Sequence, residues 1–173
     1  MLLDLTRYRL PVSQFGRTFP PNEVEQEGAV YGVVRPVQVD LEIHKDKDRF
    51  HLVGRAKTEL ELQCGRCLEP FRMPFDEAID VRYLPASELS SEDEREVEEE
   101  DLDTSYYRDD QIDLNELLRE QFYLALPMKP LCRDECAGLC SQCGANLNLT
   151  TCSCETGWTD PRLAALKDLG RGR

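Results

Sequence analysis

The chain has 173 residues, 40% of them hydrophobic, and a formal net charge of −13. That length suits one ordinary domain, or one domain with a small metal module. No apolar run approaches the ~20 residues of a membrane span, and so acidic a chain does not hold nucleic acid through bulk charge. The charge is unevenly placed: residues 1–87 carry 12 basic and 14 acidic side chains (net −2), 88–120 carry 3 and 15 (net −12), and 121–173 carry 6 and 5 (net +1). The first residues, Met1 to Arg7, are broken by charge at once and offer no apolar signal-peptide region, so a cytoplasmic protein is expected. Thiols stay reduced there, which favours metal ligation over disulfides for the eight cysteines.

In chain order, residues 1–27 hold short apolar groups (Leu2, Leu3, Leu5, Tyr8, Leu10, Val12) and a Pro20-Pro21 break, read as an edge strand and a loop. Strand signal begins at Ala29. Val37, Val39, Leu41 and Ile43 alternate with polar residues, and after the polar turn 45–48 a partner follows with Phe50, Leu52, Gly54, Ala56, Thr58, Leu60 and Leu62 on one face. A third strand reads Phe71, Met73, Phe75, Ile79, Val81, Tyr83. This is an antiparallel meander with one buried face. Residues 86–110 break the pattern. The run 92–101 has eight acids and one base, read as a solvated, disordered loop that either solubilises the chain or receives a basic partner. A capping box at Asp113 and Glu116 starts a helix whose Leu114, Leu117, Leu118, Phe122, Ala125 and Leu126 form one apolar face; Pro127 and Pro130 stop it. Asp160-Pro161 caps a short final helix.

Cysteines carry the chemistry. Cys64-Gly65-Arg66-Cys67 follows the second strand, and the tail reads C-x3-C-x3-C-x2-C-x8-C-x-C from Cys132 to Cys154, with Gly144 just after Cys143. A thiolate pair two residues apart can grip one metal ion, and a following glycine lets the backbone bend towards the sulfurs. Cys140 and Cys143 can close a tetrahedral site with Cys152 and Cys154. Cys64 and Cys67 then complete a second with Cys132 and Cys136, joining the sheet to the tail; alternatively Cys132 and Cys136 join Cys140 and Cys143. Eight thiolates match two structural zinc ions, which would take the holo charge from −13 to about −17. An iron–sulfur cluster and a thiol-redox centre are the competing readings. No Gly-rich phosphate loop, nucleophile elbow or HExxH motif occurs. His44 and His51 read as ordinary surface histidines, and Trp158, Tyr106 and Tyr107 as packing groups. The reading is non-enzymatic, with no small-molecule substrate and no membrane contact.

Cys64-Gly-Arg-Cys67-Leu68-Glu69-Pro70-Phe71 resembles the central signature of the YceD family of bacterial and plastid proteins. The Ile112-Asp113-Leu114 helix start, its Leu124-Ala-Leu126-Pro127 end, the tail 138–148 around Cys140 and Cys143, and Asp160-Pro161-Arg162-Leu163-Ala164 are similar too. Some members lack the cysteine tail, so the resemblance does not make metal the family's shared function. It implies a role in accumulation of 23S ribosomal RNA and hence in biogenesis of the large ribosomal subunit, with no catalytic activity. Genes of the family tend to accompany that of a large-subunit ribosomal protein. Two modes follow. The chain contacts rRNA through a local basic patch, for which Arg55, Lys57 and Arg66 are candidates, or its acidic segment 88–120 shields a basic ribosomal protein.

The expected architecture is α+β: an antiparallel β domain (1–85), an acidic flexible segment (86–110), a helix packing on the sheet (111–130), and a cysteine-rich zinc module with a C-terminal helix (131–173).

Overall fold

The computed structural model describes residues 1–24, 28–88, 104–154 and 162. Along the chain come β1 (Leu2–Asp4), a 3-10 turn (Leu5–Arg7), β2 (Val12–Phe19), the short helix α1 (Pro21–Val24), β3 (Tyr31–Val33), β4 (Val37–Asp46), β5 (Arg49–Gln63) and β6 (Pro70–Pro85). A 3-10 turn (Ala86–Glu88), β7 (Thr104–Tyr107), β8 (Gln111–Asp113) and α2 (Leu114–Ala125) follow. The class is α+β. The expected acidic loop at 92–101, the final helix from Asp160 and Trp158 lie outside the described residues.

Period-two patterning builds the centre. β4 pairs antiparallel with β5 from Gln38↔Lys57 to Asp46↔Arg49, and β5 with β6 from Phe50↔Tyr83 to Gln63↔Pro70. β2 lies antiparallel on the outer edge of β4. One face is largely apolar: Val37, Val39, Leu41 and Ile43 of β4, Phe50, Leu52, Ala56, Leu60 and Leu62 of β5, and Phe75, Ile79 and Tyr83 of β6 are all buried. The opposite face is polar and paired across strands. β3 also pairs with β5, but its register (Val33↔Leu60) is two residues out of step with that of β4 (Gln38↔Lys57). Pro36, which has no N–H for the ladder, lies in the two-residue excess. The Thr58 hydroxyl caps the break by donating to the Arg35 carbonyl at 2.8 Å.

Gly54, read above as one more inward position of β5, has a stricter role. A Cβ there would overlap the Asp40 carbonyl oxygen and sit 2.8 Å from Leu41 Cα, both backbone atoms. Gly54→Ala is therefore expected to cost about 3 kcal/mol, the upper end for overpacking where the obstacle cannot rotate away. Urea unfolding, with the slope unchanged, measures it.

Helix α2 covers the apolar face. Asp113 is its N-cap, with the carboxylate accepting from Asn115 N at 2.8 Å. Leu114, Leu117, Leu118 and Phe122 are buried, and Ala125 and Leu126 pack against the same core. Phe122 stands edge-on to Phe75 and Tyr31, with centroids 4.8 and 5.4 Å away.

Two short strands depart from the sequence reading. Thr104–Tyr107, expected within a loop, is β7 and pairs parallel with the end of β6, so the sheet is mixed rather than a pure meander. Gln111 and Ile112, placed with the helical segment 111–130, instead form β8 with the N-cap Asp113 and pair with β1. The cause is tertiary. Tyr107 donates its hydroxyl to the Asp48 carbonyl at 2.8 Å and packs on Phe50, while the Leu5 amide donates to Asp110 O at 2.9 Å.

Candidate metal centres

The β5–β6 hairpin ends in a knuckle. The Cys64 amide donates to Glu69 O at 3.0 Å, and the Leu68 amide returns to Cys64 O at 3.0 Å. The tail repeats it: the Cys140 amide donates to Ala145 O at 2.8 Å, and the Gly144 amide to Cys140 O at 2.9 Å. Both loops need left-handed backbone at the residue after the second cysteine. Gly144 supplies it at φ 73°, but the hairpin knuckle has Leu68 there at φ 62°. A non-glycine residue in that region costs roughly 1–2 kcal/mol. Leu68 is also largely exposed, so little burial offsets the cost. Leu68→Gly should stabilise the chain by about 0.5–1 kcal/mol once glycine's own entropy cost is counted, read as a raised denaturation midpoint.

The knuckles gather sulfur. Cys64, Cys67, Cys132 and Cys136 form one group and Cys140, Cys143, Cys152 and Cys154 another, with the four Sγ atoms of each group within 4.8 Å of one another. Cys64 Sγ lies 3.8 Å from Cys136 Sγ, and Cys67 Sγ 3.8 Å from Cys132 Sγ. Cys132 and Cys136 thus stand with Cys64 and Cys67, not with Cys140 and Cys143. Both groups can hold a metal ion. The first joins the hairpin tip to the segment beyond α2 and is largely buried; the second lies wholly in the tail, with Cys140 buried, Cys143 exposed and the other two between.

Backbone amides prepare the thiols. Those of Cys67 and Cys132 draw the Cys64 thiol down to about 6, and those of Cys143 and Gln142 do the same for Cys140. Each cluster resists further ionisation: burial and the facing thiols push Cys132 up to about 12, and Cys154 goes to about 12 beside Cys143. Four thiolates so close need a cation to exist together.

Several supporting residues escape sequence reading. Arg66 donates through Nη1 to the carbonyls of Cys136 (3.0 Å) and Asp134 (3.2 Å), so it clamps the metal loop. Asn148 accepts from Ala137 N (2.9 Å) and Arg133 (2.7 Å), and its amide nitrogen donates to Cys136 Sγ at 3.3 Å. Gly138, at φ 75°, lets the tail pass close to Arg66, whose carbonyl accepts from Leu139 N at 3.1 Å. A signal existed, in that asparagine side chains flanking cysteine loops commonly satisfy stranded backbone groups.

The candidate basic patch is partly compensated. Arg55 and Lys57 both pair with Asp76, at 2.9 and 3.2 Å, and hold its carboxyl below the ordinary range; Arg66 is turned to carbonyls. His44 and His51 face each other across β4 and β5, half-exposed, with Nε2 atoms 2.7 Å from Glu42 and 2.6 Å from Asp80.

With this geometry in place, the family model described as "Large ribosomal RNA subunit accumulation protein YceD" matches residues 52–170. The chain belongs to the YceD family. The match takes in the β5–β6 hairpin, α2 and both cysteine clusters. Among curated YceD relatives, the chain is 29% identical over 151 residues to the "Large ribosomal RNA subunit accumulation protein YCED homolog 1, chloroplastic" of Zea mays, covering 69% of this chain and 49% of that one. The Arabidopsis thaliana protein of the same description is 28% identical over 141 residues, covering 69% and 44%. An uncharacterised Mycobacterium tuberculosis protein is 31% identical over 111 residues, covering 64% and 51%. The chain thus spans about half the length of the curated relatives it matches. No solved structure matches. Among the described residues, no helix is long and apolar enough to cross a membrane.

Proposed function

We propose that this chain is a non-enzymatic factor promoting accumulation of 23S rRNA and so of the large ribosomal subunit, with two structural zinc ions held by Cys64, Cys67, Cys132 and Cys136 and by Cys140, Cys143, Cys152 and Cys154. The observation that carries the role is the family match over residues 52–170. Deleting the gene should lower 23S rRNA relative to 16S rRNA, with recovery on complementation; an unchanged ratio removes the reading.

Zinc is supported by the donor set and the spacing. Four thiolates around a ~2.3 Å zinc–sulfur bond stand at the corners of a tetrahedron with edges of about 3.8 Å. The Cys64–Cys136 and Cys67–Cys132 separations are both 3.8 Å. A polynuclear iron–sulfur cluster would have to fit its own iron and sulfide atoms between sulfurs no more than 4.8 Å apart. Bound zinc would supply charge neutralisation and a crosslink, not chemistry on a substrate. Elemental analysis should find about two zinc ions per chain, from one per four-thiolate site; visible colour would point to iron.

A pH dependence follows. Cys67 and Cys132 in the first group, and Cys152 and Cys154 in the second, have thiols raised above their ordinary value, so they are protonated near neutrality without metal. Loading each site must expel those protons. The metal-bound state binds fewer protons, so apparent affinity rises with pH and falls as pH falls. Zinc uptake near pH 7.5 should release at least about two protons per ion, read by an indicator dye in weak buffer.

Of the two modes of action, contact with a basic protein is favoured over direct rRNA contact, because the chain carries −13 overall, Arg55 and Lys57 share the Asp76 carboxylate, and Arg66 is held to two carbonyls. Deleting 92–101 tests the share of the acidic run: unchanged association with pre-ribosomal particles removes that run from the contact.

A further inference from the structure

β7 and β8 begin as one hairpin, bridged at Arg108↔Gln111 across a turn in which Asp109 and Asp110 both take positive φ. They then part, β7 to the main sheet and β8 to β1. Between them opens a groove of about 690 Å³, floored by Tyr83 and walled by β7 on one side and the first turns of α2 on the other. Its charged lining is Asp113, Glu116, Glu120 and Arg108. The Asp113 carboxylate is engaged as the helix cap. Glu116 and Glu120, one turn apart, have no cationic or hydrogen-bonding side-chain partner among the described residues. Like charges at this spacing repel, which is unfavourable for the helix unless a cation joins them.

Tyr83 is the second, independent feature. The residue is 6% exposed, and its hydroxyl, which has no hydrogen-bond partner among the described residues, is left to the groove it lines. Tyr83 lines the groove together with Asp113, Glu116 and Glu120, and burial, then Glu120, Glu116 and Asp113, raise its pKa. Burial and Glu116 likewise raise the pKa of Glu120. Among the described residues the buried side-chain oxygen left without a partner is that of Tyr31, so the Tyr83 hydroxyl is open to the groove it lines, and a ligand that donates to it takes the place of water there.

A bare metal ion does not fit. The groove carboxylates are not among the groups whose ligand atoms converge within 4.8 Å. What fits is a broad planar cation with several donors, bordered by the half-exposed ring of Tyr106.

The geometry points to this groove as the seat of an arginine side chain from a basic protein segment, its guanidinium shared by Glu116 and Glu120 and hydrogen-bonded to Tyr83. It gives residues to the basic-partner mode above and rests on that mode, not on zinc or on rRNA levels. A phosphate backbone is disfavoured in the same groove by three carboxylates against one arginine.

The test is fluorescence anisotropy of a labelled acetyl-Gly-Arg-Lys-Arg-Gly-amide peptide with the full chain at about 0.1 M salt, where distant charges are screened beyond ~10 Å. Glu116→Gln with Glu120→Gln should weaken binding about tenfold or more, and Tyr83→Phe about threefold. Removing the same charge elsewhere, Glu61→Gln with Glu77→Gln, should change it less than about twofold. A peptide with lysine in place of both arginines should bind more weakly. Equal loss in the two double variants would show bulk charge alone and overturn the proposal. So would binding insensitive to Glu116 and Glu120, or displacement of the peptide from those residues by a short single-stranded RNA. Because the readout is binding in vitro, its failure leaves the rRNA accumulation test untouched, and a failed accumulation test leaves this one standing.

Discussion

Cys64→Ser is expected to take the metal content from two ions per chain to one and to free the segment beyond α2 from the sheet. Cys64 is fully buried, and its sulfur is 3.8 Å from that of Cys136. A serine hydroxyl stays protonated at neutral pH and is a poor zinc ligand, so the site keeps three thiolates around a buried gap. Structural zinc contributes roughly 10–16 kcal/mol in small modules, whereas a whole domain is stable by only ~5–15 kcal/mol. Burial cannot replace it: among the described residues, the hydrophobic side chains beyond the cysteines that pack around this cluster are Leu131, Leu139 and Phe71, the last shared with the main core. The loss should therefore be local. Limited proteolysis should cut between residues 127 and 139, while the strands keep their protection from hydrogen exchange. Cys143→Ser, in the exposed group within the tail, should lose the other ion without opening that stretch. Native mass spectrometry reads the ions directly. A Cys64→Ser protein that still carries two would show that this sulfur is not a ligand.

Phe122→Ala should have the largest effect on the sheet itself. The ring is 0% exposed and meets Phe75 and Tyr31 edge-on, so its removal opens a cavity between α2 and strands β3 and β6. Such truncations cost about 3–5 kcal/mol, transfer and cavity terms together. Against a stability of ~5–15 kcal/mol, that is a large part of the folding margin. The expected readout is a denaturation midpoint lowered by that amount, with both metals retained at low temperature because the cysteine clusters do not touch Phe122. Phe122→Leu, which keeps most of the volume, should recover more than half of the loss. If Phe122→Ala costs less than about 1 kcal/mol, α2 does not cover the sheet as described.

Local pattern fixes a good deal of this molecule. Alternation in 37–43 and 50–62 names the inward face of β4 and β5 residue by residue, because side chains on a strand repeat every two positions. Asp113 announces the start of α2 and Pro127 its end, since capping and proline act within one turn. The CxxC spacing marks both knuckles for the same reason: the bonds that shape them span no more than five residues.

Longer-range choices lie outside that reach. Which four sulfurs meet is left open by spacing alone, and is decided where α2 delivers Pro130, whose carbonyl accepts from Gly65 N at 2.8 Å, beside the hairpin tip. Arg55, Lys57 and Arg66 look like a free basic patch in the sequence; register sets Lys57 opposite Asp76, and the fold turns Arg66 onto two carbonyls. β7 carries no strong periodicity in four residues and exists because β6 offers it an edge. Sequence alone determines features whose partners lie within a turn or a strand. Tertiary structure determines those whose partners are tens of residues away, because a chain brought together across such loops chooses among many possible neighbours, and only the whole packing selects one.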